Sequence, residues 1–235
     1  MSEYTNQFDQ PVGFPIPEWE GRAHPPHVPL TGRTCRLEPL SLDHADDLYA
    51  VFSAPDSDRL WTYMPYGPFA DYGEFHALLE QPLFSGDDPL FYAIIMTESN
   101  KAVGIASYLR IAPVFGSIEV GYISYSYALQ KQTAATEAMF LMMRHAFDDL
   151  GYRRYEWKCD ALNAASRQAA LRLGFTFEGE FRQHLMYKGR NRDTAWFSIT
   201  DKEWPKIKAA FESWLAPKNF DVNGSQVKSL STFRD

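Results

Sequence analysis

Apolar positions along the chain recur with two periods, and the places where the period changes divide it into elements. Alternation in TCRLEPL, after Gly32, predicts a strand. LDHADDLYAVFSA then predicts a helix that buries Ala45, Leu48 and Phe52, with Asp43 as its cap. The loop DRLWTYMPYGPFADYGEF sets Trp61, Tyr63, Tyr66 and Phe69 between turn formers, and a second helix follows through about Phe84. From Leu90, PLFYAIIMTESNKAVGIASYLRIAPVFGSIEVGYISYSY gives three strands separated by Ser-Asn and Pro/Gly turns, the pattern of an antiparallel meander.

Beyond the meander the period becomes helical. Phe140, Met143, Phe147 and Leu150 share one face of a helix from about Thr133 to Leu150, closed by Gly151. RYEWKCDA predicts a strand, and Ala164 to Leu173 a helix stopped by Gly174. Two strands flank the turn KGRN, and DKEWPKIKAAFESWL predicts an amphipathic helix with Asp201 as its N-cap and Pro205 in its first turn. A meander followed by strand, helix and strand implies a mixed sheet covered by helices, an α/β (α+β mixed) chain.

Both ends differ from this body. Residues 1–33 are rich in proline, which fixes φ and removes amide donors, so they form an extended arm; Phe8, Phe14 and Trp19 predict that it packs on the body. Residues 34–216 form the expected domain, and residues 217–235 a tail with a mobile end.

Composition narrows the function classes. Lys and Arg total 23 against 30 Asp and Glu, so the average surface field repels phosphate backbones, and nucleic acid is not the expected partner. No signal-peptide pattern and no run of eighteen apolar residues occurs, which predicts a cytoplasmic protein with no membrane partner. Cys35 and Cys159 have no second Cys or His at ligand spacing, so they are expected to be buried thiols. His24 and His27 lack further ligands, and no metal is expected.

LQKQTAATEA opens the helix after the meander. A helix start presents unpaired amides and a positive dipole end, which suits a pyrophosphate. The first turn has ordinary φ, so small residues suffice there without glycine. Thr133, Ala134 and Ala135 leave room, Thr133 and Thr136 offer hydroxyls, and Lys131 a charge. On these residues alone, a plain well-capped helix start is the favoured reading.

EVGY at 119–122, ATEA at 135–138, AFDDLGYRR at 146–154, CDALNAASRQAALRLGF at 159–175 and EGEFR at 178–182 stand in an order and spacing that resembles the GNAT superfamily of acyl-CoA-dependent N-acyltransferases, RimJ/RimL-type branch. The resemblance implies a mostly antiparallel sheet of about seven strands whose parallel fourth and fifth strands splay apart, and acetyl-CoA as donor. It places the pyrophosphate loop on Gln130, Lys131, Gln132, Thr133, Ala134 and Ala135, with Thr133 where the family has glycine. It implies that Ile123, Ser124 and Tyr125 hold the pantetheine arm through their backbone, and that Gly121 forms the bulge that splays their strand, with a packing accommodation as the alternative role of this glycine. A backbone amide at that bulge would stabilise the thioester oxyanion.

The same resemblance sets Asn163 and Ser166 beside the pantetheine and sulfur. Many relatives carry a tyrosine seven residues after this Asn as the acid for the departing thiolate. Ala170 stands there in this chain, so Ser166 becomes the candidate acid, with a helix cap as the alternative role for both residues. Glu119 falls where the family often has its carboxylate base; among Ile118, Val120 and Tyr122 it would be partly desolvated, with an ordinary solvent-facing or salt-bridged strand residue as its alternative role, and Asp160 is the reserve. Trp61, Tyr63 and Tyr66 lie where the family generally binds the acceptor, with a hydrophobic plug as their alternative role.

The implied activity is acetyl transfer from acetyl-CoA to a primary amine, a protein N-terminus or a small amine, by direct attack in a ternary complex. A non-catalytic acyl-CoA-binding regulatory or interaction module, and a succinyl- or longer-chain acyl-CoA transferase, are the alternatives. The arm and last helix offer apolar surface for a homodimer or for covering their own sheet.

Overall fold

The structure, a computed structural model, describes residues 3–222 and 224–234, so Met1 and Ser2 of the arm and Asn223 and Asp235 of the tail lie outside the described residues. Ten strands and five helices follow the order β1 Tyr4–Thr5, β2 Pro11–Val12, β3 Leu30–Thr31, β4 Cys35–Pro39, α1 Ala45–Phe52, α2 Tyr72–Leu79, β5 Leu90–Met96, β6 Ala102–Ala112, β7 Ser117–Tyr125, α3 Thr133–Arg144, β8 Arg154–Asp160, α4 Ala164–Leu173, β9 Thr176–Tyr187, β10 Arg190–Thr200 and α5 Trp204–Leu215. β1 and β2 pair with each other, and the other eight form one sheet in the order β3-β4-β5-β6-β7-β8-β10-β9. Every pairing is antiparallel except β7 with β8, which holds from Ser117–Arg154 to Val120–Trp157. The sheet has eight strands because the end of the proline-rich arm adds β3 as an edge, pairing Leu30 with Leu37.

Both faces of the sheet are covered, which is why β5 is a continuous apolar run. Its Leu90, Tyr92 and Ile94 enter a core shared with α3, α4 and α5, while Phe91, Ala93 and Ile95 enter a second core under α1 and α2. α3 lies between the sheet and α5, with Phe140 stacked 5.3 Å from Phe211, so its residues from Ala134 to Met143 are all buried. Its alanines, methionines and leucine favour the helix and fit that enclosed position.

Glu137 fixes where α3 starts relative to the sheet. Its buried carboxylate accepts from the amides of Arg33 at 2.9 Å, Thr34 at 2.6 Å and Cys35 at 3.3 Å, and from the Thr34 hydroxyl. Glu137→Ala is expected to cost about 2 kcal/mol, since it strands donors in the β3–β4 turn. Urea denaturation of the two proteins measures that difference.

Local chemistry corrects several element ends. Ser41 and His44 form the capping box ahead of α1, so Asp43 lies inside a 3-10 turn and is not the cap. The second helix stops at Leu79, and Phe84 belongs to a separate 3-10 turn begun by Pro82. The third ends at Arg144 and continues as a π turn over His145–Asp149, where His145 Nδ1 lies 2.8 Å from the Asp149 carboxylate. Glu203, not Asp201, is the N-cap of α5, and its carboxylate accepts from the Thr200 amide at 2.8 Å. Gly174 closes α4 with φ 102°, the left-handed conformation a helix stop requires.

The arm lies on the body through Trp19, whose indole donates to Val114 O at 2.7 Å and faces the Arg22 guanidinium, while Phe8 is 70% exposed. His27 Nε2 lies 2.7 Å from Phe91 O, a structural contact. In the tail, Leu230 is buried in the larger core. Cys35 and Cys159 are buried free thiols.

Candidate active site

The parallel pairing of β7 and β8 stops at Val120, and the two strands then part. The separation has an identifiable origin. Between Ile105–Ser124 and Ser107–Gly121, β7 gains one residue on β6, and Tyr122 adopts φ 49°. The bulge therefore sits at Tyr122, where Gly121 was the expected residue. Gly121 serves a different purpose: a Cβ there would approach Leu109 Cδ2 to 2.8 Å. β6 carries a matching bulge at Arg110, φ 46°, which turns its guanidinium toward β7.

A cleft of about 280 Å³ opens at this parting, lined among others by Glu119, Gly121, Ile123, Trp157, Asn163 and Ser166. Glu119 is only 3% exposed. Arg110 Nη1 donates to both of its oxygens at 2.9 Å, and Lys158 Nζ lies 2.9 Å from Oε2. Burial raises the Glu119 pKa, and the two cations pull it back only in part, so it stands above the ordinary carboxylate value. The Lys158 side chain is only 4% exposed, 2.6 Å from Glu156 and 3.6 Å above the Trp196 ring.

On the opposite wall, Asn163 caps α4, its Oδ1 accepting from the Ser166 amide at 3.1 Å. That role engages the Ser166 amide and leaves its side chain in the cleft, where Oγ accepts from the Trp157 indole at 3.0 Å. The cap and a chemical role for the hydroxyl are therefore compatible. Cys159 lines the same wall, its thiol pushed up by burial and eased downward by the nearby Ser166 hydroxyl. Asp160 accepts from Tyr187 OH at 2.7 Å and from the Leu162 amide at 2.9 Å, and among the described residues no cation lies within ion-pair distance of it. Burial, then that bond, raises the Tyr187 pKa, so its phenol stays protonated.

The three aromatic candidates separate. Tyr63 lines the cleft and donates to Leu162 O at 3.1 Å. Trp61 is 1% exposed and packs on Phe52 and Phe69, inside the core under α1 and α2. Tyr66 stacks on Tyr122 at 6.1 Å beside it, and burial raises its pKa. These two form the hydrophobic plug and do not line the cleft.

Near the start of α3, Gln130 donates through Nε2 to Tyr125 O at 2.9 Å, bracing the end of β7 against the loop. Lys131 takes φ 63°, a left-handed conformation two residues before Thr133. Gln132 occupies the N-cap position without a side-chain cap bond. Among the described residues the amides of Thr133 and Ala134 donate to no carbonyl, while that of Ala135 reaches Gln132 O at 3.2 Å. Thr136 departs from expectation: it is buried, and its hydroxyl accepts from Arg172 Nη2 at 3.0 Å. Of the β7 residues named for the pantetheine, Ile123 lines the cleft, Ser124 is buried, and Tyr125 OH donates to Ala135 O at 3.0 Å.

Residues that the sequence analysis did not single out complete the walls: Arg110, Lys158, Tyr187 and Arg192. Alternation along RYEWKCD could have paired Glu156 and Lys158 on one face, but nothing local signalled the bulge that aims Arg110.

Residues 35–176 match the family model described as Acetyltransferase (GNAT) domain. A solved GCN5-related N-acetyltransferase from Brucella melitensis superposes with a TM-score of 0.91 at 48% identity, covering 94% of this chain and all of that one. "Uncharacterized N-acetyltransferase p20" of Bacillus licheniformis is 26% identical over 170 residues, 72% of this chain and 93% of the relative. The ribosomal-protein-serine acetyltransferase of Escherichia coli (strain K12) is 32% identical over 87 residues, 37% of this chain and 48% of its own length.

Proposed function

From the premise that this chain belongs to the GNAT acetyltransferase family, we propose that it moves the acetyl group of acetyl-CoA to a primary amine by direct attack, with Glu119 as base and Ser166 as acid. The observation that carries this reading is the cleft itself. It opens where β7 leaves β8, has Glu119 and Ser166 on its walls, and lies one loop away from a helix start with unpaired amides. The family match and the relatives favour an acyltransferase enzyme over a non-catalytic binding module.

The residues at the helix start fit a pyrophosphate. Thr133 and Ala134 are small, their amides are unpaired, and the α3 dipole favours an anion there. Lys131 is exposed and adds charge, and Arg172, braced on Thr136, brings a second cation near that end of α3. Bound acetyl-CoA would supply an acetyl thioester, whose carbonyl is the electrophile.

The remaining chemistry belongs to the chain. An amine must lose a proton to attack, and free amines hold theirs up to a pKa of about 8 to 10. Glu119, ionised yet raised by burial, accepts that proton as the N–C bond forms. A backbone amide at the Tyr122 bulge faces the charge that develops on the thioester oxygen. As the C–S bond breaks, the Ser166 hydroxyl donates its proton to the leaving sulfur and is reprotonated through water by the second proton that the nitrogen sheds as the amide forms, while Glu119 later releases its own to solvent. The Trp157 indole bond into Oγ polarises that hydroxyl and steadies the negative charge it acquires.

Asp160, with no cationic partner in ion-pair range, is a second reading for the base. The acetyl acceptors named by the relatives include a ribosomal protein serine, so a protein N-terminus is one acceptor class to assay alongside small amines.

Ser166→Ala tests the acid. Because the Asn163 cap uses the Ser166 amide, helix α4 should persist, and kcat for thiol release should fall about a hundredfold. Unchanged turnover with the same acceptor would remove Ser166 from the mechanism. Calorimetric titration with acetyl-CoA, with ATP as comparator, tests the donor. Saturable binding of the thioester alone is expected, and its absence would defeat the reading.

A further inference from the structure

The chain is acidic overall, 23 Lys and Arg against 30 Asp and Glu, yet the cleft inverts that sign: its walls carry Arg110, Lys158 and Arg192 against Glu119 and Asp160. The cations are not equally satisfied. Lys158 is enclosed between Glu119 and Glu156. Arg110 spends only Nη1 on Glu119, and among the described residues its Nη2 and Nε have no hydrogen-bond partner; its side chain is 49% exposed. Arg192 donates Nε to the Thr194 hydroxyl at 3.1 Å, and no carboxylate among the described residues lies within ion-pair distance of it. Two guanidiniums with free donors thus face one cleft.

A neighbouring group reports the resulting field. His184, half-buried on β9 with Nδ1 2.9 Å from the Thr194 hydroxyl, has its pKa lowered by desolvation and then by Arg110, Arg192 and Lys158 together. All three cations line the cleft, whose walls also include Leu185, Met186 and Tyr187 of β9.

We propose that the acceptor amine carries an acidic group, a carboxylate or a phosphate, which Arg192 and the free edge of Arg110 bind while the amine is directed at Glu119. This rests on the acetyltransferase reading above for the reaction, but the anion site itself can be measured without turnover. A guanidinium offers paired donors in a plane that matches either oxyanion. Because Arg110 also holds Glu119, the bound acid and the base share one anchor, and an acceptor seated on Arg110 brings its amine toward the carboxylate that deprotonates it. The chain-wide negative charge then acts as a filter, since an anionic acceptor gains from the cleft only at this cationic patch.

The test uses the full chain saturated with CoA, so that the donor's own phosphate site is filled. Calorimetric titration with glutarate and with inorganic phosphate should show saturable binding of one or both, weakened about tenfold or more in Arg192→Gln. Which of the two binds distinguishes a carboxylate from a phosphate acceptor. Absence of both overturns the proposal, whatever the enzyme acetylates.

Kinetics give the second arm. In matched amines, amino acids against their amides, the acid form should have at least about tenfold higher kcat/KM, and the ratio should collapse in Arg192→Gln. Equal or better use of the amides would overturn the acidic-acceptor inference and leave the acetyltransferase reading intact. No transfer to any amine would instead strike that reading. A preference for succinyl-CoA over acetyl-CoA that vanishes in Arg192→Gln, with no acceptor preference, would move the acid from acceptor to donor and likewise overturn the proposal.

Discussion

Replacing Glu119 by Gln is expected to lower kcat about a hundredfold or more, the range a positioned general base contributes, while the folded protein survives nearly intact. The two halves of that result have one cause. Burial raises the Glu119 pKa despite Arg110 and Lys158, so the ionised carboxylate does not recover its full desolvation cost from its partners. Lys158 keeps Glu156 at 2.6 Å and the Trp196 face when the charge is removed. The stability loss should therefore stay near or below about 1 kcal/mol, a Tm shift of about 2 to 4 °C for a chain of this size.

The pH dependence follows in sign. The base works when ionised, so kcat/KM should rise with pH through a limb set above the ordinary carboxylate value of about 4.3, and that limb should vanish in Glu119→Gln. Stability runs the other way. A carboxyl whose folded pKa is raised contributes most below its unfolded value, and the contribution is lost as pH climbs through the folded value. Steady-state rates from pH 4 to 9 for the native chain, Glu119→Gln and Asp160→Asn decide among the bases. If Asp160→Asn removes the limb and Glu119→Gln does not, Asp160 is the base.

Thr133→Trp should raise the Kd for acetyl-CoA about a hundredfold without unfolding the chain. Two unpaired amides, at Thr133 and Ala134, are the donors available to a pyrophosphate, and losing two charge-assisted bonds has that magnitude. Thr133 is half-buried at the first helical position, so a larger side chain can turn outward over the amides without entering the core. Thr133→Gly is the control. It opens the approach further and should leave Kd within about threefold, because φ there is already helical and glycine adds only unfolded-state freedom. Calorimetry on both variants measures the contrast. Equal affinity for the Trp variant would place the phosphates elsewhere.

Much of this architecture was legible along the chain. Periodicity located the meander, α3, α4 and the closing helix, because packing on a two-sided sheet fixes where apolar residues must recur. Asn163 was legible as a cap and Ser166 as its neighbour one turn on, since helix-start chemistry is local. Element ends were less so. Ser41 and His44 took the cap that Asp43 promised through a box that spans three residues, and Glu203 took the N-cap position that Asp201 promised, its carboxylate reaching back to the Thr200 amide.

The sequence by itself determined the fold class and the family, for these depend on residue spacing and on backbone rules that act over a few residues. Only the tertiary structure decided what the cleft contains. Tyr122 and not Gly121 carries the bulge because strand register, a property of two strands, places the extra residue. Trp61 fills a core and Tyr63 a cleft wall although a single residue separates them, because the helices packed above choose which face each side chain meets. Arg110, Lys158 and Arg192 come from three different strands, and their charges add only where the sheet brings them together. Net composition sums charge over the whole surface, whereas a site responds to the few charges within several ångströms, and folding alone sets those distances.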